Sequence, residues 1–268
     1  MFFLRAATFL ALALGATAHT NLHGVYVGTG SPPSNDYNCV RPATNNNPIT
    51  DYSSSAMICN TVTGVAANTC TASPGDTVTM IWHEHSMQET IAVGGAHHGP
   101  IQAYIAKVSS ASQTSVTGLS WTKIYSGGLY TDGLWATDIA NNNKGLIRVT
   151  LPCDLAPGDY LLRSELIALH SASGANGAQL YVGCAQLRVG GSATGMKSTP
   201  TSLPGYSAQD PGLLINIYGT LTSYKAPGPS VYLPTCSETN WQTKQLPQAT
   251  AGTTSLPASA TATAGVYP

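Results

Sequence analysis

The chemistry open to this chain is carried by its histidines, of which there are seven. His19 stands in "GATAHTNLHG" (15–24), directly after the small-x-small pattern Ala16, Thr17, Ala18. A cut before His19 frees an α-amine with an ordinary pKa of about 7.7 to 8.0 beside an imidazole, and the two together can chelate a metal. Composition alone leaves the plainer reading open, since processing must leave some residue first. A second candidate is "GGAHHGP" (94–100), where two glycines lead into His97 and His98 and a Gly-Pro pair follows. Such a sequence makes a tight loop at a strand edge from which at least one imidazole projects. One of those rings would complete a three-nitrogen set with His19. Three nitrogens in a plane suit Cu(II), which prefers tetragonal geometry and stands highest in affinity for such ligands.

Three further polar residues fall in "ELIALHSASGANGAQLYVGC". His170 closes a strand, and Gln179 and Tyr181 are two residues apart, so that on a strand they share a face. They could sit side by side beneath a metal, while Cys184, of opposite parity, turns to the core for a disulfide. His83 and His85 in "WHEHSM" suggest a metalloprotease helix, but that motif requires a second histidine four residues after the first, where Met87 stands. Both are expected to be loop or surface residues.

The elements that must position these groups are short. The runs "TVTMIW" (77–82), "IQAYIAKV" (101–108), "WTKIY" (121–125), "GLIRVTLP" (145–152), "GDYLLRSELIAL" (158–169) and "GAQLYVGCAQLRV" (177–189) are bounded by Gly, Pro, Asn and Asp. Their spacing predicts an all-β fold, an immunoglobulin or fibronectin-III-like antiparallel β-sandwich with long surface loops. Residues 28–50 are too rich in Pro and Asn for a central strand and are expected to form a long loop with a binding role.

Residues 1–18 combine Arg5, an apolar run and a small-x-small end, the pattern of a secretory signal. The run is shorter than the roughly 20 residues a bilayer span needs, so a secreted, extracellular protein beginning at His19 is expected. Residues 19–236 then form the domain, and residues 237–268, a Ser, Thr, Ala and Pro mixture, form a disordered tail. Losing Arg5 leaves 10 basic and 12 acidic side chains. No basic patch points to nucleic acid, and no polybasic segment to an anionic membrane. Charged residues make up only 9% of the chain, against about 25% in ordinary domains, a surface suited to neutral partners such as glycans. The six cysteines, all after the signal, are expected to form three disulfides in an oxidising compartment. Fifteen pairings are possible, and no C-x-x-C spacing points to a thiolate metal site.

His19, the "HHGP" loop, "GDYLLRSELIALH", "GAQLYVGC", "DPGLLINIY" and "YKAPGP" together resemble the fungal lytic polysaccharide monooxygenases of auxiliary activity family nine, once classed as glycoside hydrolases. The resemblance runs from His19 to about Cys236. It implies one copper ion held by the His19 amine and ring and by His97, which matches the family's H-x-G-P pattern, so that His98 is the decoy. It implies Tyr181 as a distant axial oxygen and catalytic residue, with Gln179 its outer partner and His170 a further catalytic residue beside the metal. The implied activity is cleavage of cellulose or related β-1,4-glucans by hydrogen abstraction at C1 and/or C4. The cosubstrate is O2 or H2O2, and an external donor, a small reductant or redox protein, supplies electrons to a monomer. The family pattern further implies Cys59 paired with Cys184 and, by analogy with some members, Cys153 with Cys236, which leaves Cys39 with Cys70. Tyrosines stack on sugar rings, and Tyr37, Tyr224 and Tyr232 are the candidates here. Ser164 in "RSE" and the opening "HTNLHGVYV" depart from commoner members without touching a ligand.

Two other classes compete. A glycoside hydrolase needs a facing carboxylate pair, and Asp154, Asp159 and Glu165 form no cluster that names one. A non-catalytic copper-binding or glycan-binding β-sandwich would keep the terminal histidine, and the presence of His170, Gln179 and Tyr181 argues for the enzyme.

Overall fold

A computed structural model describes residues 19–234 and Cys236. The signal segment and the tail from Ser237 lie outside the described residues. Two sheets pack face to face as the expected β-sandwich. One has the order β1 (Asn21–Val27), β3 (Thr77–His83), β6 (Leu146–Thr150). The other has the order β2 (Cys70–Ala72), β8 (Gln179–Val189), β7 (Gly158–Ala168), β4 (Ile101–Val108), β5 (Thr122–Gly127). Two short helices, α1 (Ala56–Cys59) and α2 (Ala136–Asn142), sit in connections. One pairing departs from the antiparallel expectation: β2 runs parallel to β8, from Cys70↔Leu187 to Ala72↔Val189.

Alternation on β4, β7 and β8 divides the core. Ile101, Ala103 and Ile105 on β4, Leu162 and Leu166 on β7, and Tyr181, Ala185 and Leu187 on β8 face the smaller sheet and meet Val78, Met80 and Trp82 of β3. Residues of the other parity, among them Leu161, Ile167, Leu180, Val182 and Cys184, are also buried, beneath loops that cover the outer face. A sheet buried on both faces reads as nearly continuous apolar sequence. That is why "GDYLLRSELIAL" and "GAQLYVGCAQLRV" were visible as strands.

Part of the long connection of residues 28–50 is paired to the larger sheet, while residues 28–32 stay exposed. Val40 bridges Ala185 and Ile49 bridges Leu180, and Arg41 N donates to Cys184 O at 2.9 Å. The segment therefore covers the part of the β8 edge that three-residue β2 leaves open, the usual requirement for an exposed ladder. Disulfides join Cys39 to Cys70, Cys59 to Cys184 and Cys153 to Cys236. The first ties this edge segment to β2, and the second ties α1 to β8. Cys184 lies in the outer cluster while Tyr181 lies between the sheets, so of the two it is Tyr181 that points to the main core.

The β1–β3 register slips between Leu22 and Gly24. That bulge at His23 interrupts the period-2 pattern, and β1 was accordingly not legible as a strand. The starts of β1, β4 and β8 and the end of β7 gather at one end of the sandwich.

Candidate metal centre

His19 enters this end just before β1. Thr20 holds it there: its buried hydroxyl donates to His83 O at 3.0 Å and contacts Ala92 O. Asn46, from the edge-covering segment, donates to Glu84 O at 3.1 Å and to His19 O at 3.4 Å.

His97 comes from the loop before β4, turned by its own N–H to Gly94 O at 2.9 Å. The following residues dock tightly on β7: Leu169 N donates to His98 O at 2.9 Å and Ile167 N to Pro100 O at 3.0 Å. A Cβ on Gly99 would fall 1.9 Å from Ile167 O. Only glycine permits that approach, which places His97 beside His170 at the end of β7. The two rings lie 4.4 Å apart, centroid to centroid, and tilted.

Tyr181 lies beneath the histidines. Its ring centroid is 6.4 Å from that of His19 and 6.3 Å from that of His97. It is 1% exposed, and its hydroxyl donates to Gln179 Oε1 at 3.0 Å. Burial, with the Glu84 carboxylate, raises its pKa well above the ordinary phenol value, so it remains a neutral donor. Burial and the neighbouring His170 ring lower His97 to about 4, and burial lowers His170 as well. Both imidazoles therefore offer free lone pairs at neutral pH. Nδ1 of His97 and Nδ1 of His170 are buried without a hydrogen bond, an unfavourable arrangement for rings with no partner.

Among the described residues, no three His, Cys, Asp or Glu side chains group to hold a metal. The rings of His19 and His97 both lie within 6.4 Å of the Tyr181 ring, centroid to centroid.

Comparison with known proteins identifies the family. Residues 16–225 match the model of Auxiliary Activity family 9 (formerly GH61). The chain belongs to that family. It is 39% identical to an AA9 family lytic polysaccharide monooxygenase of Trametes coccinea, over 84% of this chain and 82% of that protein. The solved structure of CvAA9A is similar with a TM-score of 0.71 at 32% identity, covering 80% of this chain and 98% of that one. A cellulose-active polysaccharide monooxygenase from M. thermophila is similar with a TM-score of 0.64 at 28% identity, covering 80% and 99%. This AA9 lytic polysaccharide monooxygenase is thus an oxidoreductase that cleaves polysaccharide oxidatively.

Several residues lie elsewhere than expected in this AA9 chain. His83 is not a loop residue: it is buried at the end of β3, its Nε2 2.9 Å from Lys144 O. His85 is exposed in the following loop. His98 turns away from His97, and its Nδ1 lies 2.8 Å from Asp138 Oδ1 at the start of α2. None of the three proposed substrate tyrosines forms an open stacking face. Tyr224 is buried, edge-on to Trp135, with its hydroxyl on Gly212 O at 2.8 Å. Tyr37 is half-buried with its ring against His23 at 5.3 Å. Tyr232 bonds Asp154, beyond β6, at the other end of the sandwich.

The residue that sequence reasoning passed over is Tyr218, 77% exposed. It lines a groove of about 660 Å³ together with His98, Trp135, Asp138 and Ile217. Its signal was present, as the last letter of "DPGLLINIY" before a glycine. An aromatic residue in an irregular segment looks the same whether it packs or projects.

Proposed function

We propose that this monooxygenase is a secreted copper enzyme, active after cleavage between Ala18 and His19, that oxidises cellulose or a related β-1,4-glucan at C1 and/or C4. The observation that carries the reading is that the rings of His19 and His97 both lie within 6.4 Å of the Tyr181 ring, with His170 4.4 Å from His97, at one end of the sandwich. The site fits copper: two imidazoles, one kept neutral to about pH 4, join the terminal amine as a three-nitrogen set, the donor type copper binds most strongly. His19 and His97 would hold the ion. When bound, copper supplies the one-electron chemistry by which an external reductant and O2 or H2O2 bring about hydrogen abstraction.

The remaining residues act around that centre. Tyr181 closes the buried side with a neutral phenol whose proton is held on Gln179, which confines reactants to the open side. His170, uncharged and next to His97, can accept or return a proton there. Tyr218 offers an exposed ring on which a pyranose can stack, and the groove beside it is lined by neutral amides and one imidazole–carboxylate pair. The solved relative described as cellulose-active supports this substrate class.

Mass spectrometry of soluble products from amorphous cellulose, with copper, ascorbate and the processed protein, tests the reading. Aldonic acids or C4 ketones that vanish with a chelator are expected. Native oligosaccharides alone would overturn it.

A further inference from the structure

The segment carrying Tyr218 has no regular secondary structure. After β8 the chain crosses the outer face of the larger sheet, and the strap of residues 206–227 is held there by apolar packing, with Leu213 and Tyr224 buried, and by a few polar tethers. The strongest lies over a buried ion pair. Arg163 and Glu165 of β7 are both 0% exposed, with Arg163 Nη2 2.6 Å from Glu165 Oε2. Arg163 also donates to Met57 O at 2.8 Å and to Ile58 O at 3.0 Å. Glu165 Oε1 accepts from Gln102 Nε2 at 2.7 Å and from the Tyr206 hydroxyl. The Tyr206 hydroxyl in turn lies 2.6 Å from that of Tyr104.

At the strap's other end, buried Lys123 of β5 donates to Pro227 O at 2.7 Å. Between the two ends, Ile215 N donates to Ala172 O at 2.8 Å, two residues beyond His170. Three residues past Ile215 comes Tyr218, so the tethers bracket the exposed tyrosine that lines the groove with His98. Hydrogen bonds to a buried carboxylate in a low-dielectric site are strong and directional. An irregular segment otherwise samples many positions.

We propose that Tyr206 is a positioning residue for polysaccharide binding: its hydroxyl, anchored on buried Glu165, fixes the strap and thereby the place of Tyr218 in the groove it shares with His98 and Trp135. This rests on the reading that Tyr218 meets substrate. The network consists of Gln102, Tyr104, Arg163, Glu165 and Tyr206, none of them a residue that would hold copper, so its loss acts on binding and leaves the metal centre as it was.

Four copper-loaded proteins test it: wild type, Tyr206→Phe, Tyr218→Ala and the double variant. Tyr206→Phe keeps Glu165 paired with Arg163 and Gln102, so no buried charge is left alone and the fold survives; Glu165→Gln would strand Arg163. For Tyr206→Phe, loss of the hydroxyl's hydrogen bonds to Glu165, Tyr104 and Gln102 predicts a Kd for amorphous cellulose, measured by depletion, and a KM at least about fivefold higher. Its kcat and its copper affinity by calorimetry should stay within twofold. The double variant should bind no more weakly than Tyr218→Ala alone, because Tyr206 acts through Tyr218.

Wild-type binding by Tyr206→Phe, or effects that multiply in the double variant, would overturn the proposal and reduce the network to a stabilising one. A wild-type protein that binds cellulose but releases no oxidised product would sink the oxidative reading alone, since the depletion measurements still decide the role of Tyr206. Failure of wild type to bind cellulose overturns both.

Discussion

His97 and His170 are unlike in role but alike in state. Each loses its charge to burial, because a cation next to another imidazole in a low-dielectric site is doubly disfavoured. In the metal-free protein, NMR titration should find His97 gaining its proton near pH 4 rather than near the ordinary 6.5. Below that pH the protonated ring competes with copper, and above it the lone pair is free. His97→Ala should abolish tight copper binding in calorimetry. One extra residue ahead of His19 should do nearly as much, because it converts the amine ligand to an amide; an extended protein with undiminished affinity would show that the terminus is not a ligand. The "HHGP" motif pointed to His97 over His98, and the structure turns the His98 ring to Asp138. It could not show that His83 is buried, since burial there comes from Lys144 and Gly145, some sixty residues on.

At the scale of elements, the site depends on how closely β4 approaches β7. Gly99→Ala places a Cβ against the Ile167 carbonyl. Overpacking of this kind should cost more than roughly 2 kcal/mol and weaken copper binding by displacing His97, both measurable on one purified variant. The disulfide between Cys59 and Cys184 spans a separation of 125 residues. Replacing both cysteines by alanine should lower stability by about 4 to 5 kcal/mol, the loop-closure expectation for so long a span, as read by denaturant unfolding. The strands of the larger sheet were legible because two-sided burial leaves a continuous apolar run. Three-residue β2 and bulged β1 were not. Their pairing depends on partners far along the chain, and neither alternation nor composition reports it.

For the molecule as a whole, the proposed copper site would link metal and fold, since His19 and His97 come from separate segments joined only in the native state. A metal that binds the folded protein alone should raise stability by about 4 kcal/mol at free copper a thousandfold above Kd. Calorimetric scans with and without copper check this, and the N-terminally extended variant should show little of the gain. The same whole-molecule view explains the tyrosines. Tyr37, Tyr224 and Tyr232 stand in the loop-rich segments where a binding residue would be sought, yet each ring or hydroxyl already has a protein partner. Tyr218 remains exposed because the strap that carries it is tethered on either side and not at its tip.

By itself the sequence determined the chemistry on offer: a histidine directly after a small-x-small pattern, a second in a glycine-shaped loop, a tyrosine and glutamine in step on a strand, and six cysteines that pair as three disulfides. Those are matters of residue type and local period. Only the tertiary structure decided which histidine faces which, which edge the long connection seals, and which tyrosine is left in solvent. Each of these depends on contacts between segments tens of residues apart, and local sequence carries no record of what will be packed against it.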